Sequence, residues 1–299
     1  MNTKKGEQTI EERALQIDGF DKVINTMKQQ MFLRNHSQST LNNYVRAIAS
    51  LCLRFKKTPD QISDAEVNEY LTQLTNSSTP PSISTFKHTI FGLRYYFRDR
   101  DNKKREIFFP PIKKEQKLPI ILNKTELRDL FRAPRLFKHR LILTLIYSAG
   151  LRSSEIINLR VGDIDFERKT IHIHQSKHYK DRIVPLSSIV AENLRKYLKK
   201  ENPNYWLFNG NCADGKFSRT GLRWIMREAV KKASIKKEVC LHSLRHSYAT
   251  HLLEQGVNIV TIKELLGHTD INTTITYLHV ALNDVIRTHS PMDRLYNDE

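Results

Sequence analysis

In Thr170-Ile-His-Ile-His-Gln-Ser-Lys-His-Tyr-Lys-Asp-Arg-Ile-Val-Pro-Leu186 the order of side chains departs from the rest of the chain. Thr170 to His174 alternates apolar and polar residues with period two, and Arg182 to Leu186 is a second extended run. Ile164-Asp-Phe166, just upstream, is a third. Period two is the signature of a strand with one face buried. These runs predict a small antiparallel sheet with a hairpin turn near Ser176 to Lys180. On both sides of this passage the apolar residues recur every three or four positions, so the fold class is mainly α (α+β), with one small sheet in the second half.

Upstream, Phe20, Val23, Ile24, Met27 and Met31 carry a helical stripe. Leu41, Tyr44, Val45, Ile48, Cys52 and Phe55 repeat it after Ser39-Thr40. Ser63-Asp-Ala-Glu66 has the form of a capping box and opens a third helix, and Ile83, Phe86, Ile90, Leu93 and Phe97 mark a fourth beyond Pro80-Pro81. Between the stripes, Arg46, Lys87 and Arg94 are candidates for phosphate contact. Asp99 to Leu118 is charged, poor in apolar residues and broken by prolines, and reads as an interdomain linker. Asn123-Lys-Thr-Glu126 is another capping box, and His139 to Ala149 is an apolar helix stopped by Gly150. Helices follow the sheet at Val190 to Lys200, Ser218 to Ala233, Ser243 to Glu254 and Ile259 to Leu266, with a last turn or two around Tyr277. The expected organisation is a tail over 1–17, a helical domain over 18–104, a linker over 105–119 and a second domain over 120–299.

The chain has 299 residues with 49 Lys+Arg against 32 Asp+Glu, a net charge of +17. Divided at Leu118, the halves carry +7 and +10, so the charge is no detachable tail. A positive field over both domains favours a polyanion, with nucleic acid first. Three scattered cysteines without CxxC spacing argue for a reducing compartment and against both a disulfide framework and a zinc site. The polar start lacks the apolar core of a signal peptide, and no apolar run approaches membrane-spanning length. The expectation is a cytoplasmic protein with no membrane partner.

The chemistry-bearing residues lie in separate short boxes. Ser148-Ala-Gly-Leu-Arg152-Ser-Ser-Glu155 puts an arginine just beyond a helix stop. Leu241-His-Ser-Leu-Arg-His-Ser-Tyr-Ala-Thr250 puts His242 and Arg245 three apart, on one helical face. His268 follows Gly267, and Tyr277 follows Thr273-Thr274. Lys177 stands where the hairpin turn begins, with Lys180 close behind. Splitting a phosphodiester without metal needs an in-line nucleophile, cations on the non-bridging oxygens and an acid for the leaving oxygen. A phenol, two guanidiniums, an amine and two imidazoles are such a set. A metallohydrolase built on His242, His246 and His251 is disfavoured: HExxH is absent, and Arg245 would repel a cation.

Taken in order, these boxes resemble the tyrosine recombinases of the phage-integrase family, and the Xer-like site-specific recombinases among them. The resemblance covers Ser148 to Ile156, the Lys177 hairpin, His242 to Arg245, Leu265 to His268 and Asn272 to His279, in that order along the second half of the chain. The N-terminal helices resemble that family's four-helix, SAM-like core-DNA-binding domain. The resemblance implies a C-shaped clamp on double-stranded DNA, with no cofactor and no metal. It implies Tyr277 as nucleophile, giving a 3′-phosphotyrosyl intermediate, and Arg152 and Arg245 on the non-bridging oxygens. Lys177 would be the general acid, His242 would assist proton transfer at the tyrosine, His268 would hydrogen-bond the phosphate, and Glu155 would orient Arg152. Strand exchange would pass through a Holliday junction, with a homodimer on each site and a tetramer in synapsis. The hairpin lacks the glycines the family often has there, which keeps Lys180 as a competing acid. A type IB topoisomerase-like relaxase and a catalytically silent DNA-binding accessory protein are the alternatives. Only about twenty residues precede the first expected helix, so no separate arm-binding domain is expected.

Overall fold

Side-chain caps set where the helices begin. The computed structural model describes residues 8–77, 80–100, 105–112, 118–176, 180–212 and 215–281. The chain divides into two units, Met1–Glu115 and Gln116–Glu299. In the first, helix α2 (Phe20–Leu33) buries the stripe expected of it, from Phe20 to Met31. Helix α3 (Gln38–Phe55) starts at a Ser37 cap, and α4 (Asp64–Asn76) at the Ser63/Glu66 capping box. Helix α5 (Ile83–Arg94) starts at a Ser82 cap and runs into a π-helical turn, Tyr95–Arg100. Their apolar faces close on one core that includes Phe20, Met27, Ile48, Leu51 and Phe97.

Two parts of this unit differ from expectation. The stretch read as a tail holds a short helix, α1 (Ile10–Ala14), with a reciprocal Thr9/Glu12 capping box and a fully buried Ala14. Glu11 of that helix accepts a hydrogen bond from Arg46 Nε at 3.1 Å, which engages one of the candidate phosphate contacts. The start of the expected linker also adheres to the unit. Arg105 donates to Asp64 and to the Ile62 carbonyl, Asn68 bonds Glu106 and Phe108, and Ile107 is buried. Composition hides this because the anchors are charged. Arg105 satisfies its guanidinium on α4 while lying 4.6 Å from the centre of the Phe97 ring.

The second unit is built around α7 (Phe137–Ser148), whose Leu141, Ile142, Leu143, Leu145 and Ile146 are all buried. Helix α6 (Lys124–Arg132) precedes it, from the Asn123/Glu126 capping box. After α7 come α8 (Ser153–Asn158), β1 (Ile164–Asp165), β2 (Thr170–Ser176), β3 (Lys180–Pro185) and α9 (Ser188–Glu201). The three strands form an antiparallel sheet in the order β1-β2-β3. Ile171 faces Val184 and Ile173 faces Arg182, with a register shift between Ile173 and Ser176. Ile171, Ile173 and Val184 go to the core, and His172 and His174 take the opposite face. Lys177 lies outside the described residues. Helices α10 (Arg219–Lys232), α11 (Leu241–Glu254), α12 (Ile259–Leu266) and α13 (Asn272–Ala281) complete the unit. Helix α8 was not foreseen from sequence, and α13 is a ten-residue helix where only a turn or two was expected.

Gly150 at φ +60° and Gly267 at φ +61° each end a helix in the left-handed region, where a Cβ is disfavoured. Beyond each, the next amide reaches back five residues, Leu151 to the Ile146 carbonyl and His268 to that of Lys263. A Cβ on Gly150 would also stand 2.5 Å from the Tyr248 ring. Gly150→Ala should therefore cost at least about 2 kcal/mol, from left-handed strain plus the clash. Urea denaturation of the two proteins should show a lower midpoint with unchanged slope; an unaltered midpoint would contradict the packing described.

Candidate active site

Counting the carbonyls at the end of α12 leads directly to the site. A helix leaves its last four carbonyls without intrahelical partners. In α12, the Schellman turn satisfies Lys263 and Glu264 with the amides of His268 and Gly267. The other two are taken by arginines: Leu265 by Arg182 Nε at 2.7 Å, and Leu266 by Arg245 Nη2. Gly267, one residue on, accepts from Arg152 Nη2 at 2.9 Å. Three successive carbonyls at the negative end of a helix dipole thus hold three guanidiniums from three separate elements.

Glu155 gathers the same cations from the other side. It lies in the first turn of α8 with its side chain 4% exposed. Arg182 grips it with two parallel bonds, Nη1 to Oε1 at 2.8 Å and Nη2 to Oε2 at 2.7 Å. Arg152, the N-cap residue of α8, donates its amide at 2.8 Å and Nη1 at 2.7 Å. Burial alone would raise the carboxyl pKa; the Arg182 and Arg152 bonds outweigh it and bring it down to about 2.

Arg245 is fully buried on α11. Besides the Leu266 carbonyl it holds that of Gly150 at 2.6 Å, while Glu155 stays 3.9 Å away. Its Nε is buried with no hydrogen-bond partner among the described residues. Burial, then the charge of Arg152, lowers its pKa to about 9, which leaves it cationic at neutral pH. Three guanidiniums against the one carboxylate give this cluster a surplus of two positive charges.

Tyr277 lies on α13, 2% exposed, and His268 stacks on its ring with centroids 6.3 Å apart at 14°. Its hydroxyl hydrogen-bonds His246 Nδ1 at 3.0 Å. His268 is fixed by Nδ1 to Thr274 Oγ1 at 2.9 Å. Burial raises the Tyr277 pKa, while Arg245 and Arg152 oppose the rise. The imidazoles move the other way. Burial followed by neighbouring cations takes His246 to about 4 and His268 to about 3, and lowers His242 as well. At neutral pH this is a pocket of neutral imidazoles and a neutral phenol beside fixed positive charge. Such a pocket fits an anion, and the Tyr277 hydroxyl already has an imidazole nitrogen at hydrogen-bond distance.

The structure thus brings Arg152, Glu155, His242, Arg245, His268 and Tyr277 into one region. Lys177 lies outside the described residues, and of Lys180 only the backbone pairing with Ser176 is described. His242 is exposed at the start of α11, its ring 4.4 Å from that of His246. Among the described residues it is His246, not His242, that bonds the Tyr277 hydroxyl. His251, the third histidine of the metallohydrolase alternative, faces away and pairs with the Tyr147 hydroxyl at 2.9 Å.

Comparison with known proteins gives the same picture at the level of sequence. Residues 120–283 match the phage integrase family, and residues 23–105 the phage integrase N-terminal SAM-like domain. The chain belongs to the phage integrase family. It is a tyrosine recombinase. A putative integrase/recombinase of Sinorhizobium fredii is 38% identical over 90% of this chain and 88% of that protein. A tyrosine recombinase of Thermosipho africanus is 36% identical over 87% of this chain and 96% of its own length. Among solved structures, XerA recombinase superposes with a TM-score of 0.54 at 25% identity, covering 91% and 99% of the two chains. XerH bound to a palindromic difH substrate superposes at 0.67 and 23% identity, covering 96% and 90%, a likeness of fold.

Sequence alone does not place two further residues of this region. Arg182 looked like one residue of an extended run; nothing local says that its strand delivers it to Glu155, 27 positions earlier. His246 was weighed only as a metal ligand, although its spacing of four from His242 already placed both on one face of α11. Glu155→Gln keeps the shape of the carboxylate but removes the charge that pairs two arginines. Breaking such a buried pair should cost about 3 to 5 kcal/mol. Because the folded-state pKa lies below the unfolded one, the wild-type advantage should be complete above the ordinary glutamate value of 4.5 and shrink as pH falls towards about 2. Denaturant midpoints of both proteins across that range test this; a gap that stayed constant down to pH 2 would contradict the ionic role.

Proposed function

We propose that this tyrosine recombinase breaks and rejoins double-stranded DNA at specific sites, with Tyr277 as its nucleophile and no metal or ATP. The observation that carries the reading is the surplus positive charge, with an unpartnered Arg245 Nε, beside a buried phenol hydrogen-bonded to a neutral imidazole. A scissile phosphate would supply the missing acceptor. Arg152 and Arg245 would hold its non-bridging oxygens, whose charge grows in the transition state. The Tyr277 oxygen forms the new bond to phosphorus, and its proton passes to His246 Nδ1. The bond from phosphorus to the 5′ oxygen breaks, and that oxygen takes a proton from the hairpin amine, Lys177 before Lys180. The product is a 3′-phosphotyrosyl link and a free 5′ hydroxyl. Its bond energy is conserved, so the hydroxyl of a second strand can reverse the step and produce a Holliday junction.

His242 and His268 are assigned to the phosphate side of the same pocket. Arg182 is assigned a positioning role: it fixes the carboxylate that fixes Arg152. The first unit would serve as the core-DNA-binding domain, and a dimer on each site with a tetramer in synapsis follows from the proposed strand exchange. The basic charge of both halves supports a duplex partner, and no helix among the described residues is long and apolar enough to cross a membrane.

A nicked suicide duplex carrying the cognate site separates the roles. Tyr277→Phe should bind with near wild-type affinity and form no covalent adduct on a denaturing gel. Arg245→Ala should slow adduct formation by about a thousandfold or more. Near-normal cleavage by either variant would overturn the assignment. Binding should weaken steeply with salt, with a log–log slope of several units if roughly 6 to 10 phosphates are contacted; filter binding at graded ionic strength measures it.

A further inference from the structure

Away from the arginine cluster, the sheet gathers a second set of chemically able side chains. His172 and His174 lie two apart on one face of β2, and Asp181 comes across from β3. One ligand-type atom from each, all three within 4.8 Å of one another, forms a compact triangle. Asp181 Oδ2 is 3.1 Å from His172 Nε2 and 3.4 Å from His174 Nδ1. Ligands about 2.0 to 2.2 Å from a tetrahedral zinc ion stand roughly 3.3 Å from each other, so two edges of the triangle already have the needed length.

The remaining nitrogen of His174 has a partner of the kind that metal-binding histidines use. Nε2 is 2.8 Å from Oδ1 of Asp163, whose residue is 7% exposed. The other oxygen of Asp163 accepts the Arg160 amide at 2.8 Å, which fixes the carboxylate in place. Asp163 thereby holds the His174 ring in the orientation that brings Nδ1 to Asp181 Oδ2, the oxygen that His172 Nε2 also reaches. A carboxylate that orients a histidine in this way also raises its basicity as a ligand.

We propose that His172, His174 and Asp181 form a binding site for a divalent transition metal, of the zinc class, that ties β2 to β3. Two imidazoles and one carboxylate favour a borderline cation over Mg²⁺, which takes oxygen ligands. All three side chains are between 35% and 47% exposed, so an ion can enter and water can complete its coordination. The site joins the two strands that flank residues 177–179 and is separate from the arginine cluster, so it holds whether or not the proposed cleavage chemistry does. Cysteine spacing and helical histidines, the metal signals weighed on the sequence, miss it: His-x-His on a strand gains its third ligand only through the register with β3.

Zinc chloride titrated against a chromophoric chelator, with the full-length apoprotein competing, tests the site. The wild type should hold one Zn²⁺ per chain with micromolar or tighter affinity, and Co²⁺ should give a visible absorption band without thiolate charge transfer. Zn²⁺ should raise the melting temperature, and Mg²⁺ at equal concentration should not. His172→Ala/Asp181→Ala should lose the competition at least tenfold and the melting shift with it, while the melting temperature without metal reports that the variant is folded. His174→Gln, which alters only one ligand, is the second arm. Zinc binding of equal strength in the wild type and both variants would assign the metal to other histidines or cysteines and overturn the proposal. No binding at tens of micromolar zinc would overturn it too.

Discussion

Everything at the catalytic centre rests on three arginines being held close together without an anion of matching charge. Like charges in a buried space repel, and the chain offsets that repulsion with fixed partial charges. The end of α12 presents its last free carbonyls at 265 and 266, with Gly267 following, and each takes one N–H from a different arginine. Glu155 adds the only full negative charge described among them. The result is neither neutral nor relaxed. It is a cationic cluster already assembled in the free protein; for the phosphate proposed to bind there, no reorganisation would be needed while charge develops.

The same field sets the protonation of everything around it. Imidazoles beside guanidiniums give up their protons more readily, and burial acts in the same direction. His246 is therefore neutral over the whole physiological range and free to accept the Tyr277 proton. For the phenol, burial opposes ionisation and the arginines favour it. The balance keeps the Tyr277 hydroxyl protonated at neutral pH, with His246 Nδ1 3.0 Å away. Placing a base on the hydroxyl and cations nearby separates readiness from premature ionisation.

How much of this could be read from the chain alone depended on whether the cause was local. The capping boxes at Ser63 and Asn123 and the alternation of Thr170 to His174 are each fixed by neighbours within a few positions, and the structure has them where they were read. The helix at Ile10–Ala14 has the same kind of box, but lies in a polar stretch where only Ala14 is buried. Arg105 and Ile107 were misjudged because charge was taken as a sign of solvation, when the charge was anchored on α4. At the site, Arg152, Arg245 and Tyr277 were legible through their boxes. Arg182 was not, because its role depends on sheet register and on a helix end 83 residues away.

Arg245 Nε remains the unresolved polar group of the centre, a buried donor with nothing to donate to. A group in that state costs about 1 to 3 kcal/mol, and a fold under selection for stability alone would replace it. The neighbouring geometry holds it in place: Gly150 and Leu266 occupy the two terminal nitrogens and fix the plane of the guanidinium. The third direction is thereby left for an incoming acceptor. A phosphate oxygen there would convert the penalty into a charge-assisted bond and offset the surplus charge at once. On this reasoning the strain in the free protein and the affinity for the scissile phosphate are two views of one arrangement. Substrate binding and stability of the second unit must then be thermodynamically coupled.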